Sequence, residues 1–210
     1  MHAPSPSPFP TPTPIRLNIG CGRDVQAGWV NIDLVPLPGV DIVFDLETCR
    51  EVRLPLKDDS VSEIRLFHVI EHIQDTLGLM EELYRVAADG CLCIIRVPHG
   101  ASDEAWTDPT HRRPWFPGSF GFFSQPHYWR ADYGYRGDWQ PQKVQLLVPR
   151  AMGLDGPRLL RAVKHERNIV SEMVAELRAI KPARPSEKAH QQPAKINVHL
   201  VGRPAGDGEV

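Results

Sequence analysis

The chain has little of what would mark it as secreted, membrane-borne or built on disulfides. Its 210 residues hold only four cysteines, Cys21, Cys49, Cys91 and Cys93, and none stands at the C-x-x-C spacing of a metal knuckle or redox pair. Three lie in or beside stretches of strand character, so buried free thiols in a reducing cytoplasm are the expectation. No apolar run approaches the roughly eighteen residues of a membrane span. The first residues lack the charged-then-apolar order of a secretory leader. An excess of one charge is missing too: 24 Lys and Arg stand against 26 Asp and Glu, a formal net charge of −2. Bulk electrostatics therefore give no reason to expect nucleic acid or an anionic membrane as partner. The length allows one α/β domain with a substantial core and hardly two.

What the chain does have is concentrated. Proline alternates with Ser, Thr and Ala at the start, which predicts a disordered or polyproline-like arm over 1–14. Ile15, Leu17 and Ile19 then alternate with Arg16 and Asn18, a strand pattern. Gly20, Cys21 and Gly22 end it, and glycine there lets the backbone turn and a ligand approach without meeting a Cβ. A second strand, Trp29 to Ile32, delivers Asp33 at its end, where a carboxylate can accept both hydroxyls of a ribose. The connection from Gly22 is too short for a full helix. That argues against a pyrophosphate dinucleotide, whose G-x-G-x-x-G opens one.

Asp41 to Leu46 reads as a short third strand and Glu63 to Phe67 as a fourth. Leu77, Met80, Leu83, Tyr84 and Ala87 form a helical stripe that Asp89-Gly90 terminates. Cys91 to Val97 is the most apolar strand, as a central parallel strand would be. Strand, helix, strand in this order predicts a parallel sheet with right-handed crossovers. Between 98 and 142 come four tryptophans, four phenylalanines and three tyrosines with little periodicity. This reads as an ordered insertion covering a substrate pocket. Residues 143–148 resume strand pattern, 159–180 carry helical spacing, and Ile196 to Val201 alternates as a last strand pairing with 143–148. The expected organisation is an arm over 1–14, one domain over 15–203 and a flexible tail over 204–210.

The run L-N-I-G-C-G at 17–22, G-W-V-N-I-D at 28–33, D-L at 45–46 and H-V-I-E-H at 68–72 resembles the class I S-adenosylmethionine-dependent methyltransferases, in a small branch of that family. The resemblance covers about 15 to 125. It implies a Rossmann-like, mostly parallel seven-stranded sheet whose last two strands form a reversed antiparallel pair. It also implies that S-adenosylmethionine is held by Gly20, Cys21 and Gly22 at its methionine part, by Asp33 at the ribose and by Asp45-Leu46 near the adenine. Phe67 and His68 would line the methyl donor. Asn18 stands where the family has an acidic residue; it can still meet the cofactor's amino group, without charge.

Catalysis of methyl transfer rests mainly on positioning, so a general base helps without being obligatory. His68 is one candidate catalytic residue. Asp108 and His111, in Asp108-Pro-Thr-His111, are the other pair: across a proline turn the carboxylate could orient the imidazole as a base. A plain structural turn explains them as well. His68, Glu71 and His72 also match an inverted zinc-peptidase helix, with His111 as a further ligand in a hydrolase reading, but they follow a buried strand and a peptidase would need a different surrounding fold. A related methyltransferase subgroup has a similar E-x-x-E-H stretch linked to a divalent cation; His68 replaces its first Glu, and the expectation is no bound metal. Two rival readings stay open, a metal-dependent hydrolase using the H-x-x-E-H stretch and a non-catalytic methyltransferase-like binding module. The favoured acceptor is a small or medium-sized molecule methylated on oxygen or nitrogen. Nucleic acid is disfavoured because no N/D-P-P-Y tetrad and no basic stripe occur, and the sequence leaves oligomeric state open.

Overall fold

The computed structural model describes residues 14–202. Apart from Pro14, the arm expected over 1–14 lies outside the described residues, as does the tail expected over 204–210. Five strands come first: β1 (Ile15–Ile19), β2 (Val30–Asp33), β3 (Ile42–Val43), β4 (Val61–Phe67) and β5 (Ala87–Pro98), with helix α1 (Thr76–Val86) between the last two. All pair in parallel. A short helix α2 (Glu104–Thr107) and two 3₁₀ turns follow, then β6 (Trp139–Pro149), α3 (Gly156–His165), β7 (Glu172–Ala179) and β8 (Lys195–Val201). The sheet order is β3-β2-β1-β4-β5-β7-β6-β8. Strand β7 runs antiparallel to both β5 and β6. The first seven strands make the expected Rossmann-like sheet, and β8 adds an eighth, parallel to β6.

Two expectations need correction. The helical spacing over 159–180 does not make one helix. Helix α3 stops at His165, Asn168 turns the chain at a φ of 60°, and β7 follows. In β7, Met173, Ala175, Leu177 and Ala179 are fully buried while Glu172, Val174 and Glu176 are half-buried, so the operative period is two. The physical reason is non-local. Apolar β5 has one edge on β4, and its other row of backbone donors and acceptors also needs a partner. The second correction concerns the reversed strand. Residues 196–201 do pair with 143–148, but in parallel; the antiparallel strand is β7.

One face of the sheet carries the core. Leu17, Ile64, Leu66, Cys93, Ile95 and Val97 are fully buried, as are Leu79, Met80, Leu83 and Val86 of α1. The aromatic segment joins this core through Trp139, fully buried, whose indole N–H donates to the Met80 carbonyl at 3.0 Å. Trp139→Ala is expected to destabilise the protein by about 3–5 kcal/mol, read as a lower denaturant midpoint at unchanged slope. A loss below about 1 kcal/mol would show that the segment docks without this anchor. Asp138, also fully buried, receives Arg184 Nε at 2.8 Å and ties the segment to the 180–194 connection.

On the opposite face the shortened first crossover leaves no helix, and cations on aromatic rings take its place. Arg16 lies over Trp29 at 4.9 Å, and Arg65 lies 4.5 Å from the Phe67 centroid while pairing with Asp24. Alternation along β4 sets Arg65 and Phe67 on that same side.

Candidate active site

The strand order switches at β1, so that β2 lies on one side and β4 on the other, and the carboxyl ends of these parallel strands enclose a crevice. A cleft of about 350 Å³ opens there, lined by Gly20, Asp33, Leu34, Phe44, Asp45, Leu46, Glu47, His68, Val69, His72 and Ile73. Among the described residues its lining contains no lysine or arginine. Carboxylates and apolar side chains make up most of it.

Asp33 is built in from two directions. Its Oδ2 accepts the Gly22 N–H at 2.7 Å and its Oδ1 accepts the Val35 N–H at 3.0 Å. Each oxygen has two acceptor sites, so both keep capacity for a further donor. Gly20 adopts a φ of 60°, and a Cβ there would fall 2.4 Å from Val69 Cγ2. The glycine thus lets the loop close over Val69. Asp45 caps the 3₁₀ turn Leu46–Thr48 by accepting the Glu47 N–H at 3.0 Å, which presents buried Leu46 beside the cleft.

Gly20, Asp33, Asp45, Leu46 and His68 therefore share one cleft, whereas four other expected cofactor residues do not line it. Asn18 is 3% exposed, and its amide N–H groups donate to the Asp24 carbonyl at 2.8 Å and to Asn31 Oδ1 at 2.9 Å, holding the short crossover. Cys21 is buried, and its backbone N–H bonds Ile32. Gly22 serves the cleft by anchoring Asp33. Phe67 belongs to the opposite face, under Arg65.

His68 follows β4 with a φ of 55°, a costly conformation for a residue with a side chain. Its Nε2 lies 3.1 Å from Glu172 Oε1 and its Nδ1 3.5 Å from Glu71 Oε1. Glu172, with Glu71 second, pushes the imidazole pKa up to about 9. His68 thus carries its proton at neutral pH and supplies charge and donors to the cleft, not a free base. Glu172, in turn held by Arg96 Nε at 2.8 Å, is a site residue that no sequence signal marked.

The Asp108–His111 couple does not close. Asp108 Oδ2 stands 4.0 Å from His111 Nε2, while its Oδ1 accepts both the Thr110 N–H at 2.8 Å and the Thr110 hydroxyl at 2.6 Å. Those bonds hold the Asp108 carboxyl below the usual carboxylate range. The turn consumes the carboxylate that an Asp–His base would need. His111 instead packs edge-on against His72, ring centroids 4.7 Å apart. A second cavity, about 460 Å³, is walled by Leu77, Arg113, Trp115, Phe116, Phe122, Phe123, Tyr128 and Tyr133.

No protein-family model matches the chain, and no curated protein matches it in sequence. Solved structures do match in shape. An S-adenosylmethionine-dependent methyltransferase from Archaeoglobus fulgidus superposes with a TM-score of 0.55 at 15% identity, over 80% of this chain and 86% of that one. A methyltransferase from Thermotoga maritima, described as a possible histamine N-methyltransferase, gives 0.51 at 15% identity over 80% and 83%. A putative methyltransferase from Bacillus halodurans gives 0.50 at 12% identity over 78% and 90%. At such identities the likeness is one of fold, and the chain has the fold of the class I S-adenosylmethionine-dependent methyltransferases.

Proposed function

We propose that this chain is an S-adenosylmethionine-dependent methyltransferase acting on oxygen or nitrogen of a small or medium-sized acceptor. The observation that carries the reading is Asp33 at the carboxyl end of β2, fixed by two backbone N–H groups and lining a cleft over Gly20. A ribose diol finds its acceptors there, and Leu34, Phe44, Leu46 and Ile73 offer apolar walls to a base. Asp33, Asp45 and Glu47 suit a ligand carrying a positive sulfonium, and the lack of lysine and arginine in the lining disfavours a pyrophosphate. The cofactor, when bound, supplies an electrophilic methyl group. The chain's own part is to hold the reactants in line and exclude water, which can be worth roughly 7–11 kcal/mol of barrier.

The aromatic cavity is the acceptor's place in this reading, which favours a molecule with an apolar or ring-bearing body, and Arg113 suits an anionic substituent. The four buried free cysteines need no oxidising compartment, in keeping with residence in the cytoplasm. Calorimetric titration with S-adenosylhomocysteine, with NAD as control, tests the proposal. Micromolar binding of the first and none of the second is the expected result. Binding of neither removes the cofactor assignment, and binding without turnover on any acceptor favours the non-catalytic module.

A further inference from the structure

Glu71 presents a problem that methyl transfer leaves unsolved. Its side chain is 2% exposed, and neither carboxyl oxygen has a hydrogen-bond partner. Burying such a group without hydrogen bonds is expensive. His68 Nδ1, 3.5 Å from one oxygen, is an ion-pair neighbour without hydrogen-bond alignment. Facing Glu71 are His72 and His111, and one donor atom from each of the three residues lies within 4.8 Å of the others.

The hydrogen bonds behind the two imidazoles indicate which atoms are free. His111 Nδ1 lies 3.1 Å from the Ala105 carbonyl, which can only accept, so the proton sits on Nδ1. His72 Nδ1 lies 2.8 Å from Thr110 Oγ1. The Thr110 hydroxyl already donates to Asp108, so His72 also donates from Nδ1. With a proton on Nδ1 the atom of each ring left to bind a metal is Nε2, and metal-bound histidines show this same pattern of a carbonyl or carboxylate-linked partner behind the ring. The Asp108-Pro-Thr-His111 run gains a role: Asp108 orients Thr110, which orients His72.

We propose that Glu71, His72 and His111 bind one divalent ion of the zinc class. Two nitrogens and one oxygen suit zinc or cobalt(II) better than magnesium or calcium, which take mainly oxygen ligands. Donors about 2.0–2.1 Å from a tetrahedral ion stand about 3.4 Å apart, so loading draws the set together modestly. Of the three ligands His72 lines the cleft, while Thr76, Leu77 and Arg113, close in the chain to His72 and His111, line the aromatic cavity. An ion there would offer an open position to an acceptor oxygen or nitrogen. The binding site itself does not depend on the methyl-transfer reading.

The test is equilibrium dialysis of chelator-stripped full-length protein against zinc, with metal analysis, and a parallel cobalt(II) titration followed by visible absorption. Wild type is expected to take up one equivalent. Glu71→Gln and His111→Gln are expected to lose affinity by about 100-fold or more. Zinc should raise the melting temperature of wild type and not that of Glu71→Gln. In chelator, Glu71→Gln is expected to stay folded, since the amide keeps the carboxylate's shape and His68 keeps its pair with Glu172; this keeps the test sound if His111→Gln folds poorly. Substoichiometric uptake by wild type, or equal uptake by wild type and Glu71→Gln, overturns the proposal. S-adenosylhomocysteine titration of the stripped protein reports separately on the cofactor, so the two readings fail independently.

Discussion

Asp33→Ala is expected to weaken S-adenosylhomocysteine binding by about 10- to 150-fold. The ribose hydroxyls lose a charged acceptor, and hydrogen bonds to charged groups are worth about 1.5–3 kcal/mol. The same substitution frees the Gly22 and Val35 N–H groups that Asp33 now receives, so a modest fall in stability accompanies the loss. Both are partly open to solvent, and water can satisfy them. Calorimetry at a temperature well below the melting point separates the two effects. Unchanged affinity would refute the ribose assignment, whatever happens to stability. Asparagine is a poorer probe than alanine, because one of its two positions must turn an NH₂ toward a backbone N–H.

Gly20→Ala is expected to cost about 2–5 kcal/mol and to abolish measurable binding of the nucleoside. Two penalties combine. An alanine at a φ of 60° bears about 1–2 kcal/mol of left-handed strain. Its Cβ also meets Val69 Cγ2 at 2.4 Å, and overpacking of this kind costs about 1–3 kcal/mol. Val69 is buried and lines the cleft, so the conflict is relieved only by moving the floor of the site. The companion variant is Gly20→Ala with Val69→Ala. Removing the methyls should return part of the lost stability, giving a coupling between the two sites that separate alanine substitutions lack. Strict additivity would show that the strain is the backbone's alone and that Val69 does not set the loop.

The two substitutions act on parts of one short local structure, and this explains why that half of the site was legible in the sequence. Strand β1, the glycine turn and β2 with Asp33 fall within 15–33, where alternation and glycine placement report geometry directly. The other half was not legible. Glu172 reaches His68 only because β7 is a strand lying beside β5, antiparallel to it. Reading 159–180 as one helix hid the strand and its carboxylate together. The spacing of Ile169, Val170, Met173, Val174 and Leu177 satisfies helical periodicity, and what overrides it is the unpaired edge of β5, invisible to any local window. Asn18 and Phe67 went astray for a related reason. Residue type and position suggested a ligand, but the shortened crossover required an amide to hold it and a ring to cover the exposed side of the sheet.

Asp108 and His111 follow the same logic. Their spacing permitted a hydrogen-bonded couple, yet a nearer donor, Thr110, captured the carboxylate. His111 then met His72 and the buried carboxyl group of Glu71, across nearly forty residues of chain.

The sequence by itself determined the class of fold, the parallel order through β5, the glycine turn and the acidic strand end, because these follow from periodicity and backbone freedom within about twenty residues. Only the tertiary structure decided that β7 is a strand, that β8 runs parallel to β6, that His68 is held as a cation between two glutamates, and that Glu71, His72 and His111 converge. Those outcomes depend on which hydrogen-bonding edges remain unpaired and which charged groups are buried together, and such quantities exist only once distant segments have packed.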